Sequence, residues 1–190
     1  MASLIFSLLA RLPLGPLQAV GVVAGWLTYA LSPTYRRRLR ANLEQALGPE
    51  QAARVWRRAV GETGKQALEL PWMLLRPQAE LAARVVRVSG WEHVEAAEAR
   101  GGGILFITPH LGCFEITAQY FSTHKPITVL YRAPKKAVLQ PLINAGRSRG
   151  NMHIAPADVG GVRRLIKALR AREAVGMLPD QVPGSGEGAW

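Results

Sequence analysis

One cysteine in 190 residues, Cys113, rules out any disulfide within the chain and leaves no thiolate cluster for a metal, as suits a reducing compartment. The histidines other than His110, namely His93, His124 and His153, are scattered without ligand spacing, so no metal site is expected. A phosphate-binding Gly-Lys-Ser/Thr loop and a dinucleotide fingerprint are also missing. The triple glycine Gly101–Gly103 precedes an apolar run, whereas phosphate loops follow a strand and lead into a helix, so it reads as a turn. Acidic residues are scarce, 13 against 24 lysines and arginines, and the net charge of +11 with a pI near 10.8 calls for an anionic partner. Nucleic acid, anionic lipid, a phosphorylated glycolipid and an acidic carrier protein all fit that charge. A hydrophobic share of 48% excludes disorder, and the length suits one catalytic core plus an anchor.

What is present begins with Leu12 to Leu31, which carries no charge and is about long enough to cross a bilayer. Pro13, Pro16 and several glycines weaken it, so an interfacial helix and a buried soluble helix are the alternatives. The basic run Tyr35 to Arg40 follows the apolar stretch, which argues against a cleaved secretory signal and places this end on the cytoplasmic side, with Trp26 and Tyr29 near an interface. Two helices are expected next, Tyr35 to Leu47 and Pro49 to Leu70, parted by Gly48 and closed by Pro71. They read as packing helices with basic outer faces. Residues 1–34 are thus read as a membrane anchor or interfacial helix, 35–77 as a helical segment and 78–190 as an α/β domain.

After Pro77 short apolar runs recur about every twenty residues: Arg84 to Val88, Ile104 to Thr108, Ile127 to Tyr131, Met152 to Ala155 and Ala174 to Leu178. Helical patterns fill the gaps at Glu92 to Arg100, Cys113 to Phe121, Lys136 to Arg149 and Val159 to Arg172. This alternation predicts βαβ units and a mainly parallel sheet flanked by helices, an α/β fold whose strand order cannot be read from the pattern.

Chemistry concentrates in GGGILFITPHLGCFEITAQYF, Gly101 to Phe121. Pro109 and Gly112 punctuate the chain between the predicted strand and helix, so His110 stands at a strand's carboxyl end and Glu115 in a helix's first turn, where the helix dipole favours a carboxylate. Residues five apart in one continuous helix would diverge, so the two can meet only with His110 ahead of the helix. A base oriented by a carboxylate suits deprotonation of a hydroxyl. A rival reading makes Cys113, at a helix start beside a histidine, a nucleophile; we read it instead as a small apolar residue. Arg132 and Lys135 follow the third strand, on the edge that carries His110 if the strands are parallel. Asp180 and Gln181 follow the last strand in the same way, with a turn aspartate as the bland alternative. Asp158 is a candidate helix cap.

His-x4-Glu after an apolar strand, then Tyr131-Arg132-Ala133-Pro134-Lys135, then the helix GGVRRLIKALR, then Leu178-Pro179-Asp180-Gln181 resemble, in this order, the bacterial lipid A late acyltransferases, the lauroyl and myristoyl transferases. The segment RANLEQALG near the amino end, Arg40 to Gly48, resembles them too.

The resemblance implies transfer of a fatty acyl chain from an acyl carrier protein to a hydroxyl of a phosphorylated lipid A precursor, at the cytoplasmic face of the bacterial inner membrane. It implies His110 as general base and Glu115 as its orienting partner in an HX4E motif. It further implies Arg132, Lys135, Arg147, Arg149, Asp180 and Gln181 as substrate-site residues, with no metal, no other cofactor and no nucleic acid partner. Family members continue well past the Asp-Gln element, so a carboxyl portion is expected to be missing. A lysophospholipid or glycolipid acceptor is the near alternative, and a catalytically silent, basic membrane-binding fragment is the distant one.

Overall fold

The computed structural model describes residues 2–134 and 140–180, the side chains from Leu4 onward. The chain divides into two compact units, Leu4–Trp72 and the residues from Met73 onward.

The first unit is helical, with α1 (Ala2–Arg11), α2 (Leu14–Leu31) and most of α3 (Pro33–Leu75). Gly48, at φ 77° and ψ 162°, breaks α3 into the two predicted helices. The second does not stop at Pro71 as expected but runs on to Leu75. An internal proline costs about 3 kcal/mol. Trp72, Met73 and Leu74 are all buried beyond it, and burying each such side chain returns roughly 1.5–3 kcal/mol, so packing carries the helix through.

Among its described residues the second unit is built on a four-stranded parallel sheet of β1 (Ile104–Ile107), β2 (Ile127–Tyr131), β3 (Met152–Pro156) and β4 (Ala174–Met177), in the order β1-β4-β2-β3. Its helices are α4 (Gln78–Ala82), α5 (Trp91–Ala99), α6 (Glu115–Phe121), α7 (Gln140–Arg147) and α8 (Val159–Arg170). Strand alternation divides the core. Ile127 and Ala174 pack with Phe121 and Met152 in one cluster, joined by Trp91 and Val94 of α5. Val175 and Ala155 pack with Leu165 and Ala168 of α8 in another. The expected α/β fold is therefore present, and the expected cap of α8 forms, the Asp158 carboxylate accepting from the Gly161 N–H at 2.8 Å.

One expected strand does not form. Among the described residues, Arg84 to Val88 joins no strand ladder, and Val86 is almost fully exposed. The β-branched composition of this segment records a fit to a pleated, half-buried surface and does not supply a neighbouring strand.

Candidate active site

Parallel strands bring their carboxyl ends to one edge of the sheet, and β1 and β4 are neighbours there. The ladder extends one step beyond the strands, with the Thr108 N–H donating to the Met177 carbonyl at 3.1 Å. Two residues after Thr108 comes His110, and three after Met177 comes Asp180. The pairing of two strands far apart in sequence thus delivers these side chains to one point.

The Asp180 carboxylate holds His110 twice. One oxygen lies 2.7 Å from Nδ1, and the other accepts from the His110 backbone N–H at 2.7 Å. With its proton on Nδ1, the ring leaves the Nε2 lone pair available as a base. The Phe114 ring stands edge-on to the imidazole, 4.8 Å between centroids, and limits its rotation from another side. These hydrogen bonds from His110, side chain first and backbone second, hold the Asp180 carboxyl below its ordinary value. Gly112 turns the chain between His110 and α6 at φ 57°, a conformation that a β-carbon disfavours.

Glu115 occupies the predicted first turn of α6, but its carboxylate engages Arg147. Arg147 Nε donates to Glu115 Oε2 at 3.2 Å, and Nη2 meets Oε1 in the second arm of a fork. The guanidinium lies over the Tyr131 ring, 5.2 Å from its centroid. Tyr131 is buried, and among the described residues its hydroxyl has no hydrogen-bond partner. Burial raises its pKa, so the phenol keeps its proton and remains a donor.

His110, Glu115, Tyr131, Arg132 and Arg147 line one cavity of about 400 Å³. Phe114, Ala118, Val129 and Leu178 belong both to its wall and to that of a second cavity of about 360 Å³. The second is mostly apolar, lined by Trp91, Phe106, Phe121 and Ile127 among others, with Gly176 also in its wall. Val85 and Val88, from the segment expected to be a strand, contribute to it. A hydrophobic slot beside a pocket with convergent polar groups is the usual form of a small-molecule site.

Of the residues singled out in the sequence, the structure gathers His110, Glu115, Arg132, Arg147 and Asp180 at this edge. Arg149 is placed otherwise. It donates to Gln119 Oε1 at 3.0 Å and to the Met73 carbonyl at 2.7 Å, outside the cavity lining, and burial lowers its pKa. Lys135 and Gln181 lie outside the described residues, and Cys113 is partly buried. Sequence reasoning missed the His110–Asp180 contact, the place of Tyr131 beneath Arg147 and the apolar slot. Only the position of Asp180 after an apolar run signalled the first.

Comparison with known proteins adds an independent line. A stretch of 98 residues, 52% of this chain, is 32% identical to the lipid A biosynthesis lauroyltransferase of Escherichia coli strain K12 and covers 31% of that protein's length. The family model described as bacterial lipid A biosynthesis acyltransferase matches residues 2–189, and the chain belongs to that family.

Proposed function

We propose that this chain carries the acyl-transfer site of a lipid A acyltransferase, with an acyl thioester on an acyl carrier protein as donor and a hydroxyl of a phosphorylated lipid A precursor as acceptor. The reading rests on one observation above all: His110, held through Nδ1 by Asp180, lines a cationic cavity that shares a wall with an apolar slot. The slot suits an acyl chain, and Arg132 and Arg147 suit phosphate.

His110 Nε2 takes the acceptor hydroxyl's proton as its oxygen attacks the thioester carbonyl. The resulting tetrahedral oxyanion is offset by the neighbouring cations. It collapses to the new ester, expelling the carrier thiolate, which recovers the proton from the imidazolium. Asp180 stabilises that imidazolium and fixes its tautomer. In this scheme Glu115 acts through Arg147, shaping the acceptor side of the cavity. The reaction belongs at the cytoplasmic face of the inner membrane, where the basic first unit meets anionic lipid.

The test is acyl transfer followed by mass spectrometry. His110→Ala should lose roughly 10²–10⁴ in rate, and Cys113→Ser should stay within a few-fold of the parent. Near-parental activity of a folded His110→Ala protein overturns the base assignment. Complete loss in folded Cys113→Ser would transfer it to the thiol.

A further inference from the structure

Among the described residues, the helix long and apolar enough to cross a membrane is α2, and it is packed along one side against α3. The approach is backbone to backbone. A β-carbon at Gly21 would lie 2.7 Å from the Gly64 carbonyl oxygen, and one at Gly25 would lie 2.5 Å from that of Val60. Only glycine permits such separation. Polar contacts continue the seam at both ends, Gln18 Nε2 donating to Glu69 Oε1 at 2.7 Å and Arg40 Nε donating to the Tyr29 hydroxyl at 2.7 Å. Tyr29 also stacks on Trp56, with ring centroids 5.3 Å apart.

The partner helix cannot follow α2 into hydrocarbon. From Glu50 to Lys65 it carries six charged side chains, and its outward face shows Arg54, Arg58 and Glu62 well exposed. A span of about 18 residues is needed to cross, so a transmembrane α2 would draw that charged stretch to bilayer depth, where such groups are excluded unless they line water or protein. The face of α2 turned away from α3 is nevertheless apolar. Val20, Val23, Leu27 and Leu31 fall on one stripe and are 50%, 59%, 57% and 80% exposed. Arg37 and Arg38 stand exposed just beyond the helix end, a charge complement to anionic headgroups.

We propose that α2 lies in the plane of an anionic bilayer surface, sinking the Val20–Leu31 stripe into the headgroup boundary while α3 stays in water, so that the first unit is monotopic and does not span. The inference rests on the membrane association in the reading above but not on the chemistry of His110. Its test uses the full chain expressed in bacterial cells in a Cys113→Ser background, with a cysteine appended at the amino terminus or with Glu44→Cys. Both thiols should resist a membrane-impermeant maleimide in intact spheroplasts and react in inverted inner-membrane vesicles. Labelling of the terminal cysteine from outside spheroplasts, with Glu44→Cys shielded, overturns the in-plane arrangement and leaves membrane association standing. In parallel, purified chain should bind vesicles of phosphatidylglycerol and phosphatidylcholine, and the Val23→Asp/Leu27→Asp protein should bind about tenfold less or weaker still, with unchanged helicity by circular dichroism. Parent chain that binds neither vesicles nor cell membranes overturns both the inference and the association it rests on. Acyl transfer measured on detergent-dispersed acceptor reports separately on His110.

Discussion

Asp180 grips His110 at both its ring and its backbone, with 2.7 Å contacts bridging seventy positions of chain. Asp180→Asn should therefore lower kcat by on the order of 10²–10⁴, because an amide neither balances the imidazolium nor enforces the tautomer. A folded Asp180→Asn protein with unchanged kcat would remove Asp180 from the mechanism.

The same contact carries a stability consequence of definite sign. The folded pKa of Asp180 is depressed, so its contribution is complete above the ordinary carboxylate range and is lost as pH falls through the folded value. The gap in Tm between parent and Asp180→Asn should be open at neutral pH and close on acidification below about pH 4. It should be small throughout, because the side chain is 38% exposed and solvent screens the contact.

Glu115→Ala leaves the Arg147 guanidinium, 24% exposed, without its carboxylate. The expected cost is about 1–3 kcal/mol of stability, read as a lower denaturant midpoint. Adding Arg147→Met should restore part of the midpoint without restoring acceptor use. A double variant whose loss equals the sum of the losses in Glu115→Ala and Arg147→Met alone would show that the pair is not energetically coupled.

Tyr131→Phe removes a buried hydroxyl that has no hydrogen-bond partner among the described residues. Stability should hold or rise, since an unsatisfied buried polar group costs about 1–3 kcal/mol. Acceptor kcat/KM should fall if the hydroxyl donates to the acceptor. A variant that is both stabilised and fully active would reduce Tyr131 to a platform for Arg147.

Gly176 lies in β4 and lines the apolar slot, and a β-carbon there would make ordinary contacts, 3.6 Å from Ile127 and 3.7 Å from Val129. Gly176→Val should fold and narrow the slot. Donor preference should then shift toward shorter chains by about 10–200-fold in relative kcat/KM, the scale of one methylene in a tight pocket. An unchanged chain-length profile would place the acyl chain elsewhere.

Local chemistry made much of this protein legible in the sequence. Apolar runs between turn residues placed all four strands of the sheet, Gly48 broke the long helix where expected, and Asp158 capped α8, because each depends on residues within a turn or two. The same locality explains the two misplacements. Val85, Val86 and Val88 have strand-forming side chains but no neighbouring strand among the described residues, and Pro71 has a helix-breaking ring that distant burial overrides.

The sequence by itself determined that His110 and Asp180 each follow a strand, and that Glu115 opens a helix. Tertiary structure alone decided which carboxylate meets which basic side chain. The order β1-β4-β2-β3 sets the ends of β1 and β4 side by side, bringing Asp180 to His110, while the packing of α6 and α7 turns Glu115 to Arg147. Strand order is fixed by how whole faces of the sheet are covered, a sum over contacts distant in the chain, and short-range spacing carries no record of it.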